Sequence, residues 1–313
     1  MNGIEILATG RGIPERVVTN DDLSKIVDTN DEWVVSRTGI RSRHFCNEGE
    51  TNCQYALEAA NKAIARAGIS KDEIGLLIVA TFTPDYATPS VACLLQKELE
   101  LPNTVIAFDL NAACSGFLYS LQVAGSMLND LNKPYALLVG SEQISTRLDM
   151  NERTTCVLFG DGAGAAVIGR APGKLFHSIL GAEGNAEILG CSGSTSDARY
   201  VYMDGKAVFR VAVQTICGVA RQLLEETKLT MDDIDYVICH QANERIIRKV
   251  IKSLDAPEEK FFMNIQTYGN TSAASIPIAL DEMMEQGLLK SGMKILCVGF
   301  GAGLTWGGNI IEL

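Results

Sequence analysis

The sequence predicts an α/β fold made of two related halves, and three observations carry that reading. Short apolar runs recur along the chain: Leu76-Leu77-Ile78-Val79-Ala80, Ala136-Leu137-Leu138-Val139, Tyr236-Val237-Ile238-Cys239 and Ile295-Leu296-Cys297-Val298. They lack period-2 alternation, so they read as strands buried on both faces. Helical patterns lie between them, which argues for helices layered on mainly parallel sheets. The chain also repeats itself. Ser70 to Thr81 overlays Thr230 to Gln241 at an offset of 160 residues (from 70 to 230), with Asp72/Asp232, Ile74/Ile234 and Ile78/Ile238 matched. Val139-Gly140 and Val298-Gly299 match at 159 (from 139 to 298). Two pairs at nearly one offset favour a duplicated half over chance likeness. The expected division is 1–170 and 171–313, with no low-complexity linker between them.

Thr51 to Ala67 reads as a helix closed by Gly68. Thr104 to Leu110 reads as a strand, and Ser115 to Leu128 as an apolar helix. The uncharged stretch Leu110 to Asn129 contains Asn, Ser and Gln, so a buried helix is expected there, not a membrane span. Phe159 to Ala165 is rich in glycine but lacks the Gly-Lys-Ser/Thr of a phosphate loop and the spacing of a dinucleotide fingerprint. A turn leading into the strand Ala166-Val167-Ile168 is expected. Val208 to Lys228 reads as another helix. Each copy of the repeat ends its strand on a polar residue, Thr81 or His240, where α/β folds usually place chemistry.

Composition narrows the function class. The 313 residues are 47% hydrophobic and 21% charged, as in an ordered globular protein. With 27 Lys+Arg against 38 Asp+Glu the net charge is −11, which speaks against nucleic-acid binding. There are nine cysteines, no C-x-x-C and three histidines, so no zinc site and no other metal site is expected. Cys239 and Cys297 sit in apolar runs and read as core thiols of a reducing compartment. The first residues show neither a basic segment nor an apolar leader, so a cytoplasmic protein is expected.

Three residues could form a site. Cys114, in Ala112-Ala113-Cys114-Ser115-Gly116-Phe117, lies between a strand and an apolar helix. The positive end of that helix would stabilise a thiolate, and its N–H groups could receive an oxyanion. A buried core cysteine is the competing reading. His240 ends a strand and precedes Gln241-Ala242-Asn243; a structural role competes. Asn270, in Tyr268-Gly269-Asn270-Thr271-Ser272, could cap a turn or donate from a neutral amide. Cys with His and Asn suits stabilising an enolate more than activating water. Phe300 to Gly307 could supply a second oxyanion donor or form a plain turn. Arg245, Arg248, Lys249 and Lys252 share one helix face, opposite Ile246, Ile247, Val250 and Ile251. Such a stripe is usually solvated, but on an acidic protein it can dock an acidic partner.

Together these segments resemble β-ketoacyl-acyl-carrier-protein synthase III, the initiating condensing enzyme of bacterial type II fatty-acid synthesis. The likeness runs end to end. It includes Asn30 to Arg41, Ala113-Cys-Ser-Gly-Phe117, Phe159 to Ala165, His240 to Asn243, Gly269 to Ser272 and Gly303 to Gly307. It implies a thiolase-like duplicated fold in five αβαβα layers. It implies decarboxylative condensation of an acyl-CoA primer with malonyl-acyl-carrier protein, in a homodimer that needs no cofactor and binds neither nucleic acid nor membrane. Cys114 would be acylated, and His240 and Asn270 would serve condensation. The oxyanion donors would be the backbone of Cys114 and of the Ala302-Gly303 turn. Thr29, Trp33, Arg37, Arg153, Phe209 and Asn243 match coenzyme A or pantetheine contacts, and Trp33 would stack on adenine. Arg210, Arg245, Arg248, Lys249 and Lys252 would dock the carrier protein. Thr88 would reach the partner's acyl pocket.

Two departures stand out. Many members have glycine where Ala302 stands, a change tolerable if φ stays negative. Many have Phe-Pro-Ser where this chain has Thr88-Pro89-Ser90, so longer or branched primers compete with acetyl. The alternatives are a relative that primes polyketide or quinolone synthesis, an acyltransferase relative, a silent scaffold and a Cys-His hydrolase.

Overall fold

Every side chain of Ile74–Ala80 is buried, which explains why this strand shows no alternation: both its faces meet helices. The computed structural model describes residues 3–193 and 199–313. In it, β1 (Ile4–Gly12), β2 (Ile74–Ala80), β3 (Ile106–Leu110), β4 (Tyr135–Glu142) and β5 (Gly162–Arg170) form one sheet, ordered β1-β5-β4-β2-β3. β6 (Phe176–Asn185), β7 (Tyr236–Cys239), β8 (Lys294–Gly301) and β9 (Gly303–Glu312) form a second, ordered β7-β8-β9-β6. The two orders correspond. In each, two strands joined by a helical crossover are parallel, β2–β4 and β7–β8, and the strands beyond β4 and β8 follow antiparallel, while β3 adds a further parallel strand at the edge of the first sheet. The counterpart of β3 is reduced to a single parallel bridge between Val237 and Phe261.

Seven helices matter for the site: α1 (Asp31–Thr38), α2 (Asn52–Ala67), α3 (Val91–Glu98), α4 (Gly116–Met127), α5 (Gly205–Thr227), α6 (Glu244–Leu254) and α7 (Ser275–Glu285). They complete a thiolase-like fold of five layers, α-β-α-β-α. Leu77 and Val79 point outward onto Ala56, Ala60 and Leu95 of α2 and α3. Leu76 and Ile78 point inward to the middle layer, where Phe117 and Leu121 of α4 and Ile276 and Leu280 of α7 fill the space between the sheets. Val237 and Leu296 face Ala212, Ile216 and Val250 on the far side.

The repeat has a local cause. Ser70 and Thr230 each open a short 3-10 turn through a reciprocal cap: the Glu73 and Asp233 carboxylates accept from the cap N–H at 3.1 and 2.8 Å. α5 starts before the expected Val208 because the Asp204 carboxylate accepts from the N–H groups of Lys206 and Ala207. It stops at Thr227 because Lys228 turns left-handed, φ 58°. α5 is long and apolar enough to cross a membrane by length and composition, but it packs Val208, Ala212, Ile216 and Leu223 against the second sheet. The strand expected from Thr104 begins at Ile106, because Val105 N–H closes a turn on Pro102 O.

Candidate active site

The strand ends of the two halves converge on one cavity of about 470 Å³, lined among others by Cys114, His240, Asn270, Phe209, Asn243 and Gly303. Cys114 sits in a short 3-10 turn, Ala113–Ser115, between β3 and α4. Ala113 is left-handed (φ 46°), an uncommon state for a residue with a Cβ, and its N–H donates to Asn111 Oδ1 at 3.2 Å. The turn before α7, Ser272–Ala274, copies this at an offset of 159 residues (from 113 to 272). Ser272 has φ 48°, and its N–H donates to Asn270 Oδ1 at 2.9 Å.

The second half closes on the nucleophile through glycine. A Cβ on Gly301 would lie 2.7 Å from the Cys114 backbone N, so only glycine lets the β8–β9 turn approach that amide. Thr305 Oγ1 then latches the turn, donating to Ala112 O at 2.8 Å. Ala302 keeps a negative φ, so its side chain fits the position where many relatives carry glycine.

His240 is buried, its backbone N–H donating to Val298 O at 2.8 Å. Its Nδ1 lies 2.7 Å from Ser275 Oγ, the first residue of α7. Ser275 Oγ already accepts from Gln241 N–H at 3.3 Å and has one proton to give. With Ser275 donating to Nδ1, the other ring nitrogen, Nε2, carries the N–H. Burial pushes the imidazole down to about 3, so it is neutral at working pH. The expected result is that an NMR titration shows no protonation of His240 between about pH 5 and 9. An inflection near the ordinary imidazole value overturns the neutral-donor reading.

Asn270 holds a turn, the first of the two roles weighed for it. Its Oδ1 holds the Ser272 turn, while its backbone pairs with Leu158 and Gly160, N–H to O at 2.8 Å and O from N–H at 3.0 Å. Its Nδ2 has no protein partner among the described residues. Cys114 departs from expectation. α4 begins two residues after it, and burial pushes the thiol up to about 12. The resting nucleophile is therefore a protonated thiol.

The other expected residues divide. Phe209 and Asn243 line the cavity, and Asn243 Nδ2 donates to Arg37 O at 3.0 Å. Trp33 carries both guanidiniums, with Arg37 Cζ and Arg153 Cζ each 4.5 Å from its ring centroid, so adenine can stack there only if one moves. Thr29 Oγ1 is buried without a partner. Arg210, Arg245, Lys249 and Lys252 are exposed, and Arg245 lies over Phe209 at the cavity wall, 5.9 Å from its centroid. Arg248 differs from its neighbours: Glu244 and Glu258, both at 2.6 Å, already pair with it. Thr88 is exposed and lies outside this cavity. Ser275, which orients His240, gave no sequence signal among its small neighbours. Among the described residues no three His, Cys, Asp or Glu side chains are grouped to hold a metal.

Comparison with known proteins agrees with this arrangement. Residues 108–184 match the family described as 3-oxoacyl-[acyl-carrier-protein (ACP)] synthase III, and residues 224–313 match its C-terminal part. The chain is 44% identical over 324 residues to the beta-ketoacyl-[acyl-carrier-protein] synthase III of Clostridium acetobutylicum, covering 100% of this chain and 99% of that one. The crystal structure of 3-oxoacyl-[acyl-carrier-protein] synthase III from Aquifex aeolicus VF5 superposes with a TM-score of 0.95 at 44% identity, covering 99% and 100% of the two chains. The priming beta-ketosynthase from the R1128 polyketide biosynthetic pathway superposes with a TM-score of 0.94 at 35% identity, covering 100% and 96%.

Proposed function

The chain belongs to the 3-oxoacyl-acyl-carrier-protein synthase III family, and from that premise we propose how its own residues carry the reaction. The activity is the initiating condensation of fatty-acid synthesis, an acyl transfer from acyl-CoA to malonyl-acyl-carrier protein with loss of CO₂. The observation that carries the assignment is that the Cys114 thiol, the neutral His240 ring and the unpartnered Asn270 amide line one cavity.

Cys114 sulfur attacks the acyl-CoA thioester. The oxyanion is received by the Cys114 N–H and the Ala302-Gly303 turn, which Gly301 brings into contact. CoA leaves and malonyl-acyl-carrier protein enters. Nε2–H of His240 and Nδ2 of Asn270 donate to the malonyl thioester oxygen. Loss of CO₂ gives an enolate held by these two donors, each able to contribute on the order of 3 kcal/mol in a dry site. The enolate carbon attacks acyl-Cys114 and releases the 3-oxoacyl product. Acylating the enzyme first splits the transfer into two easier steps.

Coenzyme A runs from the cavity past Asn243 and Phe209 to Thr29, Arg37, Arg153 and Trp33. The carrier protein docks on Arg210, Arg245, Lys249 and Lys252, exposed cations of α5 and α6, of which Arg245 lies at the cavity wall. No cofactor beyond these substrates is assigned. We place the enzyme in the cytoplasm, where its nine free thiols suit a reducing medium. We also assign a homodimer. β3 is an open sheet edge with Ile106 39% exposed, and Tyr86 is 58% exposed, so both call for cover. In that dimer the exposed Thr88 reaches the partner's acyl pocket, where a threonine leaves more room than a phenyl ring.

Intact-mass measurement after incubation with acetyl, longer and branched acyl-CoAs tests this reading. The expected result is one adduct, mapped by peptide analysis to Cys114 and discharged by malonyl-acyl-carrier protein as a 3-oxoacyl product. No adduct, an adduct elsewhere, or discharge as free acid overturns it. A primer other than acetyl as the best donor moves the enzyme towards priming of a specialised pathway.

A further inference from the structure

The mechanism leaves the Cys114 proton without a destination. The thiol is protonated at rest, and the tautomer that makes His240 a donor uses up the nitrogen that could accept. Directly behind the nucleophile stands Glu142, the last residue of β4, buried at 2% exposure and so far unused. Its Oε2 accepts from Thr83 Oγ1 at 2.6 Å, Thr81 Oγ1 at 3.2 Å and Phe82 N–H at 3.2 Å. Its Oε1 has only Phe82 N–H at 3.4 Å and keeps accepting capacity. No cation pairs with it among the described residues. Burial without a cation pushes this carboxyl up to about 7, near working pH.

A second group connects the two. Ser272 Oγ is buried without a partner in hydrogen-bond geometry, on a residue held left-handed. It lies against both the Cys114 thiol and the Glu142 carboxyl, favouring the charged form of each. β4 abuts this turn directly: a Cβ on Gly140 would fall 2.3 Å from Ala273 O. The titratable groups facing Glu142 are the thiols of Cys114 and of Cys191, with Arg147 beyond Cys191. Its other neighbours are hydroxyls and amides.

We propose that Glu142 is a positioning residue that takes the Cys114 proton through the Ser272 hydroxyl during acylation and returns it after condensation. The inference rests on Cys114 being the acylated nucleophile. In acylation the Cys114 S–H bond breaks, Ser272 passes its proton on and receives the thiol's, and Glu142 becomes a carboxylic acid. CoA departs as a thiolate and takes a proton from solvent. In condensation Cys114 is expelled as a thiolate, and the same route returns the proton to it, leaving Glu142 ionised. The cycle consumes one solvent proton, which ends on CoA.

The test compares single-turnover acylation from pH 5.5 to 9 in the wild type, Glu142→Gln and Ser272→Ala, alongside iodoacetamide alkylation of Cys114. The wild type is expected to slow below about pH 7, where Glu142 is protonated and cannot accept. Both variants are expected to lose that inflection and acylate about tenfold slower at pH 8. Alkylation is expected to slow in both variants and to lose the same inflection, because the thiol must surrender its proton to either electrophile. Acylation at the wild-type rate or faster overturns the relay and leaves Glu142 a purely electrostatic neighbour. Uniformly lower rates that keep the wild-type pH inflection also overturn it, in favour of a structural role. If Glu142→Gln does not fold, Ser272→Ala decides by the same measures. Failure of the wild type to form any Cys114 adduct instead sinks the functional reading on which this one rests.

Discussion

Asn270→Asp is expected to lower carbon–carbon bond formation by about 10²–10³-fold while acylation of Cys114 falls by less than about tenfold. The exchange is nearly isosteric and keeps the Oδ1 that accepts from Ser272 N–H at 2.9 Å, so the turn before α7 is preserved. What changes is the other terminal atom. Nδ2, the donor facing the cavity, becomes an oxygen that donates nothing and repels the enolate formed by loss of CO₂. The attack of Cys114 on acyl-CoA uses a different oxyanion site, the Cys114 amide and the turn that Gly301 brings to it, so that half-reaction is nearly spared. Time-resolved intact-mass spectra should show acyl-Cys114 forming and then persisting after malonyl-acyl-carrier protein is added. Equal losses in both half-reactions would remove Asn270 from the enolate site and leave it only its role in the turn. Partial retention of condensation, with only about tenfold lost, would shift most of the stabilisation to His240.

How much of this was legible in sequence depends on whether the cause was local. β2, β4, β7 and β8 were readable because burial on both faces leaves an unbroken apolar run. The duplication was readable because both copies needed the same reciprocal cap, at Ser70 with Glu73 and at Thr230 with Asp233. The face of α6 was readable because its cations repeat at helical spacing. Local cause was missing elsewhere. Neither Ala113 nor Ser272 is a residue type that announces a left-handed backbone, so the paired turns at the centre of the site gave no sign. Ser275 looked like one more small residue until the fold set it 2.7 Å from His240. The position of Cys114 was legible but its titration was not: proximity to a helix suggested a thiolate, and burial, which spacing cannot show, reversed the sign. Cys114, His240, Asn270 and the Ala302-Gly303 turn were assembled by a resemblance, since no spacing rule joins residues so far apart.

The largest stability effect is expected at Arg43, which a sequence reader passes over among the charged residues Arg41-Ser42-Arg43-His44. Its side chain is fully buried, yet among the described residues no carboxylate pairs with it. Nη1 donates to Val18 O at 3.1 Å, and Nη2 to Asn20 Oδ1 at 2.9 Å and Val157 O at 2.8 Å. Burial pushes the guanidinium down to about 10, so the site tolerates the cation at a cost. Arg43→Met removes that cost but leaves three buried acceptors empty in a place water does not reach, each worth about 1–3 kcal/mol. The second effect outweighs the first, for a net loss of about 3 kcal/mol. In a chain of this length that lowers the unfolding midpoint by on the order of 5 °C. The damage should not stay local. Arg43 Cβ lies 3.1 Å and 3.2 Å from where a Cβ would sit on Gly160 and Gly269, the two glycines that flank the Phe159–Asn270 bridge. Loosening that wedge frees the bridge that aims the Asn270 amide, so condensation should fall more than acylation does. Arg43→Lys should recover little, since one ammonium cannot span three acceptors set around a planar fork. A midpoint within about 1 °C of wild type for Arg43→Met would mean that the acceptors find new partners, and that the cation is dispensable to the fold.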